Sequence, residues 1–510
     1  MTHGILPFKY EEEKKSSGMT ALTGLPIYLD FTYVINLLDS IKNKVNVRSG
    51  DQGWNDYQVI MSLILLNLAG GESVSDLKIL EEDKGFRKIL GRVEGYGLPK
   101  KERREIEKRF RRGRERTVPS ESAVFRYLDF FHNEEEEKKR IEKKAFIPES
   151  NEYLLGLKKV NKDIISFVQS HSPEIISTID LDAVLAETNK AKALYCYKGY
   201  KSFQPINSYW FEQDLVIHSE FRDGNVPASY EQLRFFKETL NFLPDGVEKV
   251  YLRSDTAAYQ IEVMKYCAEG KNDRFGIIKF AIGVVMSLAF KKAVNTVKEK
   301  DWKILYREDK KGELKNTGQE WAEVSYAPAW IGNNEKGPVY RFVAIRELLK
   351  EPELPGMEKT QLELPFPVMD FNEKGRYKIT GIVSNRLCDE IKGDDLIWWY
   401  RKRCGKSEEA HSVMKEDLAG GKLPSGNFGA NAAWWAIMIL AFNLNSAMKR
   451  LALGKEWINK RMKAVRFHLI NLPGRIIDHA REMFIRLSRG HPSNDLIFQA
   501  RENIYALANT

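Results

Sequence analysis

Three features of the sequence predict an α/β protein flanked by helical regions. First, an apolar, β-branched run at 175–185 opens a stretch in which strand-like and helical patterns alternate. Second, 28–131 before it and most of the chain from 394 onward carry helical patterns. Third, the segments 54–68 (WNDYQVIMSLILLNL) and 432–448 are apolar around most of the helix, which requires burial in a sizeable interior.

Taken in order, residues 1–27 open on polar sequence and predict a disordered tail. The region 28–150 predicts a helical unit. Its strongest helix, 54–68, is closed by Gly70 and Gly71; 73–89 follows as two short helices, and 118–131 starts at Pro119 and Ser120, which favour a helix N-terminus. Between them 100–116 (KKERREIEKRFRRGRER) holds ten Lys/Arg against four Glu. Beside short helices of helix-turn-helix type, this block, Arg111 and Arg112 included, predicts contact with DNA phosphates. A solvated helix or basic linker has the same composition. The block 134–144 (EEEEKKRIEKK) predicts a charged linker and a domain boundary.

From 172 to 300 the pattern predicts strands at 175–185, 193–204 and 209–220, a turn at Asp223-Gly224-Asn225 and a helix at 229–242. A strand at 247–253, a helix at 258–268 and a strand at 275–282 follow. This is an α/β layer opened by antiparallel strands. Residues 301–370 break the rhythm with strand-like pieces and Gly/Asn turns, and predict a β-rich insertion. The region 371–450 returns to a core strand at 378–384, a helix around 394–419 and the buried helix at 432–448. The remainder, 451–510, predicts a basic helical segment. Lys449, Arg450, Lys455, Lys460, Arg461, Lys463 and Arg466 would track a nucleic-acid backbone.

The bulk numbers agree with such a partner. Hydrophobic residues make up 43% and charged residues 30%, with a net charge of +9, so a globular protein with a charged surface favours polyanions. The four cysteines, Cys196, Cys267, Cys388 and Cys404, form no CxxC pair and none has a His at zinc spacing. They read as reduced thiols of a cytosolic protein. The opening MTHGILPFKYEEEKK has no apolar signal region, and the apolar runs 59–68 and 430–444 are short and broken by Asn, so no membrane partner is expected.

Three places carry acids suited to chemistry. Asp180 and Asp182 lie two apart in TIDLDAVLAE, which puts both carboxylates on one strand face. A carboxylate inside an apolar strand is costly unless paired or bound to a cation. Asp255 ends a strand before a helix, where open α/β sheets build sites; capping that helix is its alternative role. Glu408 and Glu409 come from the late helix, in YRKRCGKSEEAHSVMKED. Carboxylates from adjacent strands and one helix suit Mg2+ or Mn2+.

These residues resemble a known family. An Asp on the first strand, an Asp after the fourth and a Glu on a late helix are similar to the RNase H-like DDE transposases. A β-rich segment before the Glu resembles the insertion-sequence transposases of the IS-four group, which carry a Tyr-Arg-Glu-Lys signature. Tyr400, two residues, then Arg403 fit it; so do Glu408, six residues, then Lys415, with one extra residue between Arg403 and Glu408. His411, three after the Glu, is also familiar there. The phrases TIDLDAVLAETNKAKALYCYKGYKSFQPIN, EFRDGNVPASYEQL, YLRSDTAAYQ and NFGANAAWWAIMILAFNLN resemble the IS-thirteen-eighty family of bacterial insertion sequences, over roughly residues 50–490. Val184 departs from it, standing where that group has Thr.

The resemblance implies an RNase H-like core, 172–300 and 371–450, interrupted by the insertion. It selects Asp182 (Asp180 in reserve), Asp255 and Glu408 as catalytic residues and ligands of two Mg2+ ions, with Mn2+ as substitute. Helix geometry pulls two ways on the last. Glu408 and Lys415, seven apart, share a face, whereas the apolar arc of Ala410, Val413, Met414 and Leu418 lies opposite Glu408 and favours Glu409 at the buried rim. Arg403 and Lys415 would hold phosphates. Tyr400 would position the terminal nucleotide, or pack beside Trp398 and Trp399; Trp321 and Trp330 would stack a flipped base, or fill the core of the insertion. The implied activity is that of a transposase which binds the terminal inverted repeats of its element, cleaves the ends and joins them to target double-stranded DNA. It would act as a homodimer on the nucleoid in the bacterial cytoplasm. A nuclease of the same fold that does not join, and a catalytically silent DNA-binding relative, are the alternatives.

Overall fold

The computed structural model describes residues 2–3, 9–10, 18–48, 53–96, 99–101, 104, 116–309, 311–328, 338–349, 367–370, 375–479 and 482–509. After strand β1 (Met19–Thr20) come helices α1 (Leu25–Val34), α2 (Leu37–Lys44), α3 (Asp56–Ala69), α4 (Leu77–Glu82), α5 (Lys84–Glu94), α6 (Glu121–Asp129) and α7 (Glu152–His171). Local chemistry sets both ends of α3. Asn55 and Gln58 form a reciprocal capping box, and Gly70 at φ +99° closes the helix in a conformation that only glycine adopts cheaply. The tail expected through residue 27 ends sooner, because Leu22, Leu25 and Ile27 are buried in the main core.

The charged block 134–144 is not a linker. Arg140 makes a bidentate bond to the fully buried Asp223 (2.6 and 2.7 Å), and its guanidinium lies over the Phe428 ring. Glu137 accepts the backbone N–H groups of Phe428 and Gly429, and Asn225 donates to the carbonyls of Ile141, Glu142 and Lys144. Composition alone reads as solvated charge, but Glu137, Arg140 and Glu142 each bond to the next layer, while Lys138 and Lys139 pair with glutamates of the block itself.

The central sheet starts with β2 (Ile176–Ala183). A small three-stranded sheet of β3 (Ala186–Glu187), β4 (Leu194–Tyr195) and β5 (Lys201–Phe203) comes next, then β6 (Ile206–Trp210), β7 (Leu215–Glu220), α8 (Gln232–Phe242), β8 (Lys249–Ser254), α9 (Ile261–Ala268), β9 (Lys279–Gly283) and α10 (Leu288–Asn295). The segment expected as one strand over 209–220 is the hairpin β6–β7, which turns at Asp214 with φ +59°. β10 (Lys303–Glu308), β11 (Leu314–Glu323), β12 (Arg341–Leu348), β13 (Val368–Asp370) and β14 (Arg376–Ser384) complete a sheet of order β10-β11-β12-β14-β9-β8-β2-β6-β7, with β13 paired to β14. The strands of the region expected as a β-rich insertion extend the central sheet, because β12 and β14 pair along their length and β14 pairs with β9.

Helix α11 (Gly393–Ser412) crosses one sheet face, and α12 (Phe428–Met448) runs through the interior. By length and composition 428–453 could cross a membrane, longer than the run read from sequence, but 83% of its apolar window is buried inside the protein. The C-terminal segment is not all helical. β15 (Gly474–His479) and β16 (Glu482–Leu487) form a hairpin that pairs with β1, before a final helix α13 (Asn494–Leu507). One hydrophobic core runs from Leu22 to Ile504, so the flanking regions are built onto the α/β layer.

His218, on β7, is a buried acid-sensitive point. Its ring stacks between Phe235 and Phe242 (4.8 and 5.0 Å), with Nε2 3.1 Å from Glu238. Burial holds its pKa down to about 4, against the pull of Glu238. The unfolded chain, with an ordinary value near 6.5, therefore binds more protons between those limits. Stability from this group is complete above about pH 6.5 and is lost as pH falls through 4, by at most about 3 kcal/mol. Melting curves from pH 7 to 4 are expected to fall less steeply in His218→Phe than in wild type; equal slopes would refute this account.

Candidate active site

Asp180 and Asp182 share a face of β2 but not an environment. Asp180 is fully buried and pairs bidentately with Arg253 of β8 (2.7 and 2.8 Å), in the register that sets Arg253 beside it. The third arm of Arg253 donates to the Trp399 carbonyl of α11 at 2.8 Å. Asp180 is thus satisfied by protein. Asp182, one step nearer the strand end, meets Arg403 Nη1 at 3.4 Å and His411 Nδ1 at 3.7 Å. Burial pushes its pKa up to about 6, against Arg403, and the charges of Asp255 and Glu408 push the same way.

Asp255 follows β8, one Oδ accepting the Ala257 N–H at 2.9 Å and so capping the turn Thr256–Ala258. Capping and a place in the site coexist, since one oxygen suffices for the cap. Glu408 and Glu409 are both exposed on α11, about 100° apart around the helix. The Glu408 charge reaches Asp182. Glu409 instead acts on Tyr209 and lines a cleft with Asp214, Lys406, Lys449 and Lys460. Among the described residues no three His, Cys, Asp or Glu side chains form a ready-made metal cage. Asp182, Asp255 and Glu408 would offer carboxylate oxygens only, the donors that a hard divalent cation takes, and burial opposes the charge of Asp182.

The orientation of His411 follows from a buried chain of hydrogen bonds. Trp435 Nε1–H, which can only donate, gives to Ser219 Oγ at 2.8 Å, so the serine hydroxyl gives to Asn207 Oδ1 at 2.6 Å. Asn207 Nδ2 then donates to His411 Nε2 at 3.2 Å, which leaves the imidazole proton on Nδ1, facing Asp182. Burial, then the charges of Lys415 and Arg403, hold the His411 pKa down to about 4.

Around this group, Tyr400 is half-buried; its hydroxyl lies 3.0 Å from where a Cβ on Gly283 would sit, a close approach that a larger residue there would crowd. Arg403 is 9% exposed and its Nε is buried without a hydrogen-bond partner among the described residues. Lys415 lies in a π-helical turn, Val413–Asp417, that continues α11. The wider turn shifts it from the line it would share with Glu408 on a regular helix, which corrects the seven-residue argument.

Other expected contacts are spent inside the protein. Arg461 bonds Ser412 and Asp417 (3.1 and 3.3 Å), and Arg466 donates to the carbonyls of Leu68, Asn67 and Asp417. Lys449 pairs with Asp214 and Arg450 donates to the Glu212 carbonyl, whereas Lys463, 3.6 Å from Asp417, keeps an exposed side chain. Lys455 and Lys460 are exposed. Trp321 is core: 6% exposed, it packs on Gly393, where a Cβ would meet its ring at 2.1 Å. Arg111, Arg112 and Trp330 lie outside the described residues. Sequence reasoning missed Arg253 and Asn207. A lone Arg in the strand VYLRS was a signal, since such a charge needs a buried acid.

The family model described as Transposase DDE domain group 1 matches residues 20–509. Among solved structures the chain is similar to a piggyBac transposase synaptic complex with hairpin DNA, seen by cryo-EM. It is 10% identical over 96% of this chain and 80% of that one, with a TM-score of 0.38. No curated protein sequence matches.

Proposed function

The chain belongs to the DDE transposase family, and we propose that it binds the terminal inverted repeats of a bacterial insertion sequence, cuts the element ends and joins them to target DNA. The phrases quoted above support placing it in the IS-thirteen-eighty family. The order β7-β6-β2-β8-β9, antiparallel and then parallel, supports an RNase H-like core. The observation that carries the reading is Asp182, buried at the strand end with Arg403 at 3.4 Å and His411 at 3.7 Å, and with the charges of Asp255 and Glu408 acting on it.

Asp182, Asp255 and Glu408 would hold Mg2+, which when bound polarises the scissile phosphate and activates the attacking oxygen. Arg403, buried with an unpaired Nε, offers N–H donors to a phosphate oxygen as it leaves Asp182. Tyr400 supports the nucleotide at the cut through its hydroxyl beside Thr256 and Gly283. Lys415 neutralises a neighbouring phosphate. His411 presents its Nδ1–H toward Asp182 from 3.7 Å and would aim its oxygens once the site closes on substrate.

Labelled DNA carrying the element ends, incubated with purified chain, Mg2+ and target plasmid, tests the reading. Cleavage at the ends and joined products are expected. Cleavage without joining would leave a nuclease, and binding without cleavage a silent relative. His411→Leu is expected to raise the Mg2+ concentration for half-maximal cleavage about 10- to 100-fold. His411→Asn, whose amide N–H replaces Nδ1–H, should recover most of it; no difference between the two would remove the positioning role.

A further inference from the structure

The segment 187–201, between β3 and β5, takes no part in the site described above. It forms an arm whose tip is a tight turn: Gly199 N–H donates to the Cys196 carbonyl and Cys196 N–H to that of Tyr200, both at 2.9 Å. Gly199 has φ +83° and nothing within 4 Å of where a Cβ would sit, so the tip stands in open space. Tyr197 is 78% exposed there and Tyr195 52%.

Four lysines share the arm. Lys190 Nζ donates to the Pro424 carbonyl (3.0 Å), Lys192 Nζ to Asn427 Oδ1 (2.8 Å) and Lys201 Nζ to the Ala191 carbonyl (2.6 Å). Lys198 and Lys201 lie 5.8 Å from the Tyr197 and Tyr195 ring centroids. These partners are neutral, so the positive charge is held in place without being cancelled; none of the four forms an ion pair with a carboxylate among the described residues. The bonds of Lys190 and Lys192 fix the arm to the loop between the π turn and α12. Its other root is β3, three residues after β2 and its Asp182. The arm therefore stands at the carboxylate end of the sheet.

Exposed aromatic faces interleaved with uncancelled lysines suit a single strand, whose bases offer their faces and whose phosphates need cations. A paired duplex hides those faces. We propose that this arm grips unpaired nucleotides of DNA beside the cut, with Tyr197 and Tyr195 stacking on bases and Lys192 and Lys198 neutralising phosphates. The proposal rests on the DNA-cutting reading above.

The test uses full-length chain and two versions of the end DNA, fully paired or with several unpaired nucleotides carrying 2-aminopurine. Wild type is expected to quench the probe and to bind the unpaired version more tightly. Tyr197→Ala should lose roughly tenfold or more on that version, with little change on paired DNA, and Tyr197→Phe should behave as wild type. Lys198→Ala, which leaves the anchoring bond of Lys192 to Asn427 intact, should lower the salt dependence by about 0.7 on logarithmic axes. Unchanged melting temperatures would show that the exposed tip variants remain folded. If wild type cuts the ends while Tyr197→Ala binds and quenches like it, the arm proposal falls alone. If wild type binds neither DNA, the functional reading falls and takes this one with it.

Discussion

Glu408→Ala is expected to lower Mg2+-dependent cleavage of end DNA by about 10³-fold or more, whereas Glu409→Ala stays within about tenfold of wild type. The two residues are adjacent and equally acidic, so only their surroundings separate them. Glu408 shares an electrostatic field with Asp182 and Asp255; Glu409 looks toward Tyr209 and the lysines of another cleft. On the proposed role of the three carboxylates as joint ligands of one cation site, removing any one removes the set's function, so Asp182→Ala and Asp255→Ala should fall to the same floor, as double variants with Glu408→Ala also do. Glu408 is exposed, and its loss should leave the melting temperature within about a degree, since surface substitutions cost within ±0.5 kcal/mol. If Glu409→Ala alone were dead, the helix register would be misassigned by one residue.

Asp180→Ala is expected to fail differently. It strands Arg253, fully buried with two bonds to the lost carboxylate, and such a loss costs about 3–5 kcal/mol. The same arginine stacks 4.4 Å from the Phe211 ring and holds the Trp399 carbonyl, so β2, β8 and α11 loosen together. Chemical denaturation should show that drop, while Asp180→Leu with Arg253→Met recovers much of it, because no uncompensated charge is left behind. Calorimetry with Mg2+ separates the roles: the double variant still binds the ion if Asp182 is the ligand. Normal stability with lost ion binding in Asp180→Ala would make Asp180 the ligand instead.

Much of the scaffold was legible locally. The strands expected at 175–185, 247–253 and 275–282 are Ile176–Ala183, Lys249–Ser254 and Lys279–Gly283, and the apolar helix at 54–68 is Asp56–Ala69. These follow from periodicity and end signals, which are properties of ten or so residues. The reversal at Asp214 was not legible, because FEQD holds neither Gly nor Pro. The hairpin β15–β16 read as helix, since its pairing partner β1 lies at the other end of the chain. The charged block 134–144 and the basic residues Arg461 and Arg466 were misread for a related reason: composition reports a charge but not its partner.

By itself the sequence pointed to the DDE transposases, the family whose model matches residues 20–509, and it placed Asp180 and Asp182 on one strand face. Only the tertiary structure decided what each acid meets. Asp180 receives an arginine 73 residues away and Asp182 an arginine 221 away. The spacing of side chains along a strand is set by its own backbone. Which charge is cancelled and which remains open to a cation is set by the elements that dock against it.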